Sequence, residues 1–320
     1  MSSIDPIPIA EIRAARERIQ EAVTRTPLVR LEVDEAPAEI WLKLENLQPI
    51  GSFKLRGAGN AMALADPTEL ARGVYTASAG NMAQGVAWNA SRLGVPCRVV
   101  VPDHAPRAKL DPVERLGAEV IQVPFDDWWQ VIVDHHYPGL DGVFIHPVVN
   151  RDVIAGNGTI GLEILEDLPD VDAIVIPFGG GGLSCGIASV VRVLEPETKI
   201  YASEVETAAP LAASLAAGEP QEIDYMASFV DGIGGKSVLP EMWPLVRQLL
   251  DASLVVSLAE TAAALRTLLT RNRVVAEGAG ATSVAAAVAG RAGTGKVVCV
   301  VSGGNIDPAR LATIIDGGVP

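Results

Sequence analysis

Apolar positions recur along the chain in two alternating periods. Residues 9–23 place Ile9, Ile12, Ile19 and Val23 roughly along one face, with arginines and glutamates elsewhere. That predicts an amphipathic helix closed by Thr26 and Pro27. A strand is expected at 40–44 and an Ala-rich helix at 58–65. Strand 74–77 follows, then a helix running to Leu93 and closed by Gly94 and Pro96. The alternation continues with strand 98–101, helix 105–116, strand 119–123 and a helical run at 125–136. His146 and Pro147 begin a connection through 154–160 to a helix at 161–167. The apolar run 173–178 reads as a strand buried on both faces, followed by a small-residue helix to about Leu194. Strand 199–204, helix 208–217, a helix from about Ala259, a small-residue helix after 277–281 and strand 296–301 complete the chain. Strands and helices in this order predict parallel βαβ units. No tandem repeat or low-complexity tract interrupts them.

The length of 320 residues allows two domains or one large α/β unit, and 49% hydrophobic against 20% charged residues provides for a sizeable core. A net charge of −14 argues against a nucleic-acid partner and against an anionic membrane surface. No apolar run is long enough to span a bilayer. Asp5 and Glu11 stand where a signal peptide would need an apolar segment, so a cytoplasmic protein is expected. Cys97, Cys185 and Cys299 are odd in number and far apart, which suggests neither a disulfide framework nor a zinc site. His135 and His136 are adjacent rather than four apart, so they do not share a helix face as metal ligands would.

Four loops concentrate the candidate chemistry. Lys54 sits in Gly51-Ser52-Phe53-Lys54-Leu55-Arg56-Gly57, between a strand and a helix and flanked by glycines. A lysine desolvated there has a lowered pKa and becomes a nucleophile toward carbonyls. Ser78-Ala79-Gly80-Asn81 opens a helix after a strand. It reads either as an anion-binding turn or as an ordinary turn with Ser78 as N-cap. Gly179, Gly180, Gly181 and Gly182 offer backbone N–H groups to a phosphate at a helix start. No lysine follows in Walker spacing and the third glycine of a dinucleotide fingerprint is missing. Gly235-Lys236-Ser237 ends like a Walker motif, but Val230 occupies the position of its first glycine. Ser302-Gly303-Gly304-Asn305 leaves the last strand.

Together with Leu44-Glu45-Asn46-Leu47-Gln48 and Ile154-Ala155-Gly156-Asn157-Gly158-Thr159, these segments appear in order over nearly the whole chain. The chain resembles the serine/threonine dehydratase and serine racemase family, whose members use pyridoxal 5′-phosphate (PLP) and have fold type II. The resemblance implies an α/β fold of two parallel-sheet domains, as in the tryptophan synthase β chain. The large domain would take 1–47 and 151–320, and the small domain 48–150. Lys54 would form the Schiff base with the cofactor and serve as the general base. Phe53 would lie against the ring and Asn81 would bond its phenolic oxygen. Gly179, Gly180, Gly181, Gly182 and Leu183 would hold the phosphate. Ser302 would face the pyridine nitrogen, with Gly232 and Glu277 near the ring. Ser78, Ala79, Gly80 and Asn81 would grip the substrate carboxylate. The implied reaction is β-elimination from an L-β-hydroxy amino acid such as threonine or serine, giving a 2-oxo acid and ammonia. A homodimer is the implied assembly.

Several positions depart from the family pattern. Met82 stands where histidine is usual, and Val148-Val149-Asn150-Arg151 where acidic or amide residues are frequent. Family members that bind a divalent cation pair a glutamate with an aspartate six positions later. Glu204 matches, but Pro210 replaces the aspartate, so no metal is carried over. Racemases of the family have a serine at the position of Ala79, so a racemase is the nearest alternative and the alanine favours dehydration. A dehydratase for another β-hydroxy amino acid such as 3-hydroxyaspartate is a further alternative. Leu55-Arg56 and four glycines disfavour a cysteine-synthase-like β-replacement, and the retained Lys54 disfavours a non-catalytic PLP binder.

Overall fold

The computed structural model describes residues 4–320, so residues 1–3 of the expected large domain lie outside it. The chain enters through α1 (Ile9–Ile19), which buries Ile12, Ala15 and Ile19. This helix stops short of Val23, which lies in the following turn. β1 (Leu28–Arg30) and β2 (Glu39–Leu44) pair antiparallel. α2 (Lys54–Leu64) begins at the candidate lysine itself, four residues earlier than the alanines predict.

α3 (Pro67–Ala71), β3 (Val74–Ala77), α4 (Asn81–Leu93), β4 (Cys97–Pro102) and α5 (Arg107–Arg115) follow. β5 (Glu119–Val123), α6 (Phe125–Asp134) and β6 (Val143–Phe144) complete a four-stranded parallel sheet in the order β5-β4-β3-β6.

The remaining strands build a six-stranded sheet with β1 and β2. α7 (Arg151–Asp167), β7 (Ala173–Pro177), α8 (Gly182–Leu194), β8 (Lys199–Val205) and α9 (Pro210–Ala217) come first. α10 (Trp243–Leu249), β9 (Ala252–Val256), α11 (Leu258–Thr267), α12 (Gly278–Val288), β10 (Lys296–Val301) and α13 (Pro308–Ile315) end the chain. The order is β1-β2-β10-β7-β8-β9, parallel except for the edge strand β1. β7 is buried at every residue and β10 at all but its first, because helices cover both faces of the sheet.

Residues 154–160, expected as a connection, lie in the middle of the 17-residue helix α7. Its glycines mark helix crossings. A Cβ on Gly156 would sit 2.5 Å from the Arg56 carbonyl oxygen, and one on Gly186 of α8 would sit 2.5 Å from that of Ile154. Small residues therefore let α2, α7 and α8 touch backbone to backbone. Asn150 caps α7 by accepting from the Asp152 and Val153 N–H groups at 2.9 and 3.0 Å.

One ionic cluster joins these layers. Arg56 of α2 donates from Nε and Nη2 to both Glu45 carboxylate oxygens at 2.8 Å. It also reaches Glu163 Oε1 of α7 at 2.7 Å and Thr159 Oγ1 at 3.1 Å. Lys43 of β2 donates to Glu163 Oε2 and to the Thr26 carbonyl, each at 2.6 Å. All four charged side chains are buried. Burial alone would raise the Glu45 pKa, but the adjacent Arg56 outweighs it and holds the pKa below the usual range. Removing one member strands a buried charge, at a cost of about 3–5 kcal/mol. Arg56→Met is accordingly expected to lower unfolding free energy by about that amount, read from urea titrations followed by circular dichroism. A loss below ~1 kcal/mol would show that the cluster is solvated rather than buried.

Candidate active site

Lys54 is pinned from two sides. The Phe53 N–H donates to the Ser302 carbonyl at 3.1 Å, and the Gly304 N–H donates to the Gly51 carbonyl at 2.8 Å. Ser52 forms a bridge with Gly303. The first turn of α2 is thereby tied to the exit of β10. Lys54 Nζ lies 5.1 Å from the centre of the Phe53 ring. Its remaining exposure opens onto a narrow cavity of about 40 Å³, and the enclosing protein desolvates the amine. Desolvation lowers its pKa from 10.5 to about 8, against the opposing pull of Glu277. At neutral pH that raises the fraction of free amine by roughly two orders of magnitude.

The narrow cavity gathers all of the predicted cofactor residues. Phe53, Lys54, Asn81, Gly232, Glu277 and Ser302 line it, together with Gly179, Gly180, Gly181, Gly182 and Leu183. Gly181 has φ +94° and precedes the first turn of α8. The N–H groups of Gly182, Leu183 and Ser184 lie in that first turn, ahead of the first intrahelical bond from Cys185 to Gly181. Ser302 is buried and lines the cavity at the end of β10. α2, α4, α8 and α12 all start at this cavity, with Lys54, Asn81, Gly182 and the N-cap Glu277 at their beginnings. Positive helix ends on every side suit an anionic ligand and disfavour an ammonium.

Glu277 is buried, and desolvation raises its pKa to about 7, partly offset by the bond from Asn81. Asn81 Nδ2 donates to Glu277 Oε1 at 2.9 Å, while Asn81 Oδ1 accepts from Asn305 Nδ2 at 2.8 Å. One amide hydrogen of Asn81 remains for a ligand. Asn81, Gly232 and Glu277 also line a wide cleft of about 710 Å³ between the two sheets, so the two spaces meet there. Ala79 and Gly80 line the wide cleft. Ser78 lines neither space. Its hydroxyl accepts from the Gly80 N–H at 3.3 Å, and the N-cap of α4 is Gly80 rather than Ser78.

Pro147, Val148, Asn157, Pro177 and Ile233, none of them assigned to the site from the sequence, complete the cavity wall. Asn157 carried a signal, being a lone amide among the glycines of a helix. Its Nδ2 donates to the Gly182 carbonyl at 3.3 Å, and its Oδ1 is buried without a partner. Met82 is 2% exposed and packs in the small-sheet core. Glu204 accepts from the Leu211 and Ala212 N–H groups and from Ser253 Oγ, so its carboxylate caps α9. His135 and His136 stand at the end of α6, away from both cavities.

A lysine with lowered pKa, a Cβ-free N–H cradle and the unpartnered Asn157 amide oxygen in one cavity fit an aldehyde-bearing phosphate. The profile of the family described as "Pyridoxal-phosphate dependent enzyme" matches residues 19–303, and the chain belongs to that family. Pyridoxal phosphate is its cofactor. The chain is 40% identical over 318 residues to the L-threonine ammonia-lyase of Thermotoga maritima, covering 98% of this chain and 79% of the relative. It is similar to the solved serine racemase of maize, with a TM-score of 0.88, 31% identity and 97% of each chain covered. It is also similar to the processed form of threonine deaminase isoform 2 from Solanum lycopersicum, with a TM-score of 0.87 and 30% identity over 99% of this chain and 96% of that one. The α/β architecture of parallel sheets is that of fold type II.

The lowered Lys54 pKa sets a pH dependence. In the apoprotein, acylation of Lys54 by acetic anhydride should rise with pH and level off above about 8. Glu277→Gln removes an anion that raises the Lys54 pKa, so the midpoint should move to lower pH. Mass-spectrometric rates on the Lys54 peptide check this. A midpoint near 10.5 would mean that the amine is solvated.

Proposed function

We infer that the protein is a PLP-dependent ammonia-lyase, a dehydratase that converts L-threonine, and L-serine as a related substrate, to a 2-oxo acid and ammonia. The observation that carries this reading is the Lys54 amine, with its pKa lowered to about 8, set in one cavity with the glycine loop, Asn81, Glu277 and Ser302. The relatives named L-threonine ammonia-lyase, 40% and 39% identical, support the reaction.

Bound PLP supplies an electron-withdrawing ring that stabilises the charge left when a Cα–H bond breaks. The N–H groups at the start of α8 would bind its phosphate, and the start of α4 would hold the substrate carboxylate. Lys54 Nζ, free of its proton, takes the Cα proton as general base. The Ser302 hydroxyl would face the ring nitrogen. A neutral hydroxyl stabilises a protonated ring less than a carboxylate does, which favours prompt loss of the β-hydroxyl. Glu277 Oε1 accepts from Asn81 Nδ2 and would keep that amide oriented toward the ring.

The same reading divides the chain into a large domain of 1–47 and 151–320 and a small domain of 48–150. All four strands of the small sheet fall within the latter span. A homodimer in the cytoplasm is the proposed setting. Three free, buried cysteines suit a reducing compartment.

The racemase-like neighbours favour one second reading, racemisation, which needs an acid opposite Lys54. Ala79 offers only a methyl group at the cleft wall. The test is incubation of the holoenzyme with L-threonine and L-serine, measuring 2-oxo acid, ammonia and the D-isomer. Oxo acid is expected in large excess over D-isomer, and Ala79→Ser should raise the D-isomer share. Lys54→Ala should abolish both products. Faster formation of D-isomer than of oxo acid by the unaltered protein would refute the dehydratase reading.

A further inference from the structure

The narrow cavity has one wall that neither the glycine loop nor the lysine supplies. Val148 packs directly on the phosphate loop, where a Cβ on Gly180 would collide with its methyl groups. The Val148 carbonyl faces Gly182, 3.5 Å from where a Cβ there would lie. Val148 belongs to the link between β6 and α7, which is tied to β3 through the bond from the Ile145 N–H to the Tyr75 carbonyl at 2.8 Å and runs outside both elements from His146 to Val149.

His146 organises that link. It is 3% exposed, and its Nδ1 accepts from both the Val148 N–H at 3.0 Å and the Val149 N–H at 2.8 Å. Asparagine and aspartate side chains commonly make this i+2, i+3 turn. Asn150 repeats it four residues further on, with Asp152 and Val153. A ring nitrogen that accepts two N–H groups is unprotonated, so the proton of the neutral ring is on Nε2. That atom faces the Ile132 carbonyl of α6 at 3.3 Å. The imidazole thus does what an asparagine would do for the turn and, in addition, reaches a helix of the small sheet. The His135 ring, 4.4 Å away, and the Phe144 ring, edge-on at 6.0 Å, box it in. Burial, reinforced by His135, holds its pKa down to about 4, so the neutral ring persists at ordinary pH.

We propose that His146 is a positioning residue for the cofactor phosphate: through the turn it caps, it presses Val148 onto the glycine loop and fixes the loop's width. This rests on the assignment of residues 179–182 to the phosphate. His146 touches neither the lysine nor the reacting atoms, so it sets how tightly the cofactor is held and not the rate of the loaded enzyme.

The experiment titrates apoprotein variants with pyridoxal phosphate, reading the dissociation constant from fluorescence, and measures kcat at saturating cofactor. His146→Leu strips the acceptor from two half-buried N–H groups and should weaken cofactor binding about tenfold, the equivalent of one net hydrogen bond. Its kcat at saturation should stay within about twofold. His146→Asn restores the turn and should bind within about threefold of the unaltered protein. Val148→Ala should weaken binding without disturbing the turn. In His146→Leu/Val148→Ala the two effects should not add, because one residue acts through the other. Unchanged affinity in His146→Leu, or additive effects in the double variant, would overturn the proposal. Should His146→Leu fail to fold, unchanged affinity in Val148→Ala overturns it equally. Gly179→Ala separates the two assignments, because a Cβ there meets protein no closer than 3.6 Å. If it leaves affinity intact, the phosphate assignment falls and this proposal with it. If it weakens binding while His146→Leu does not, only the role of His146 falls.

Discussion

Two carboxylates and two cations buried together, Glu45 and Glu163 with Lys43 and Arg56, set the position of everything that matters in this molecule. Their formal charges cancel, and each is hydrogen-bonded. Desolvating such a group usually consumes most of what the pairing returns, so its value lies in geometry rather than in net stability. Arg56 has one satisfactory place, between Glu45 after β2 and Glu163 on α7. Lys54 stands two residues before it, half a turn back on the same helix. Fixing the guanidinium therefore fixes the amine.

That constraint explains how Lys54 can be shut away from water without a salt bridge. A lysine free to reorient would reach solvent and keep its charge. Here the helix start is locked by Arg56 below and by the bonds to Ser302 and Gly304 beside it, so the amine remains in the narrow cavity. Four helix N-termini around that cavity add positive potential, and Glu277 supplies the carboxylate in its lining. The balance leaves an amine that gives up its proton near neutrality and a surface that receives anions.

Much of this was legible in the sequence because it is local. The bounds of β3, β5 and β10 follow from apolar runs with clear stops, and the glycine loop and the lysine segment announce themselves by composition. The ionic cluster was not legible. Lys43 sits in an apolar strand, Glu45 in a short turn and Glu163 in a helix, and nothing in their spacing says that they converge over separations of more than a hundred residues. Asn81 reads as a ligand contact, yet its two bonds to protein, with Glu277 and Asn305, come from sites more than 190 residues away. Ser78 reads as a cap or an anion contact from its place in the loop, whereas the backbone turns it aside from both cavities.

Residues 154–160 mark the point where sequence logic reaches its limit. Glycine-rich stretches at 154–160 and 179–182 look alike on paper, and both read as loops. In α7, added side chains at Gly156 and Gly158 would meet backbone at under 3 Å, so those glycines exist for close helix crossing. At Gly179 and Gly182 the nearest protein atoms stand 3.5 Å or more from such a side chain. Glycines with room around them are not there for packing. That room opens at the N-terminal turn of a helix, where unpaired N–H groups point outward, and it is where a phosphate can be accepted. The distinction depends on what lies opposite each glycine, a long-range fact that composition alone does not carry.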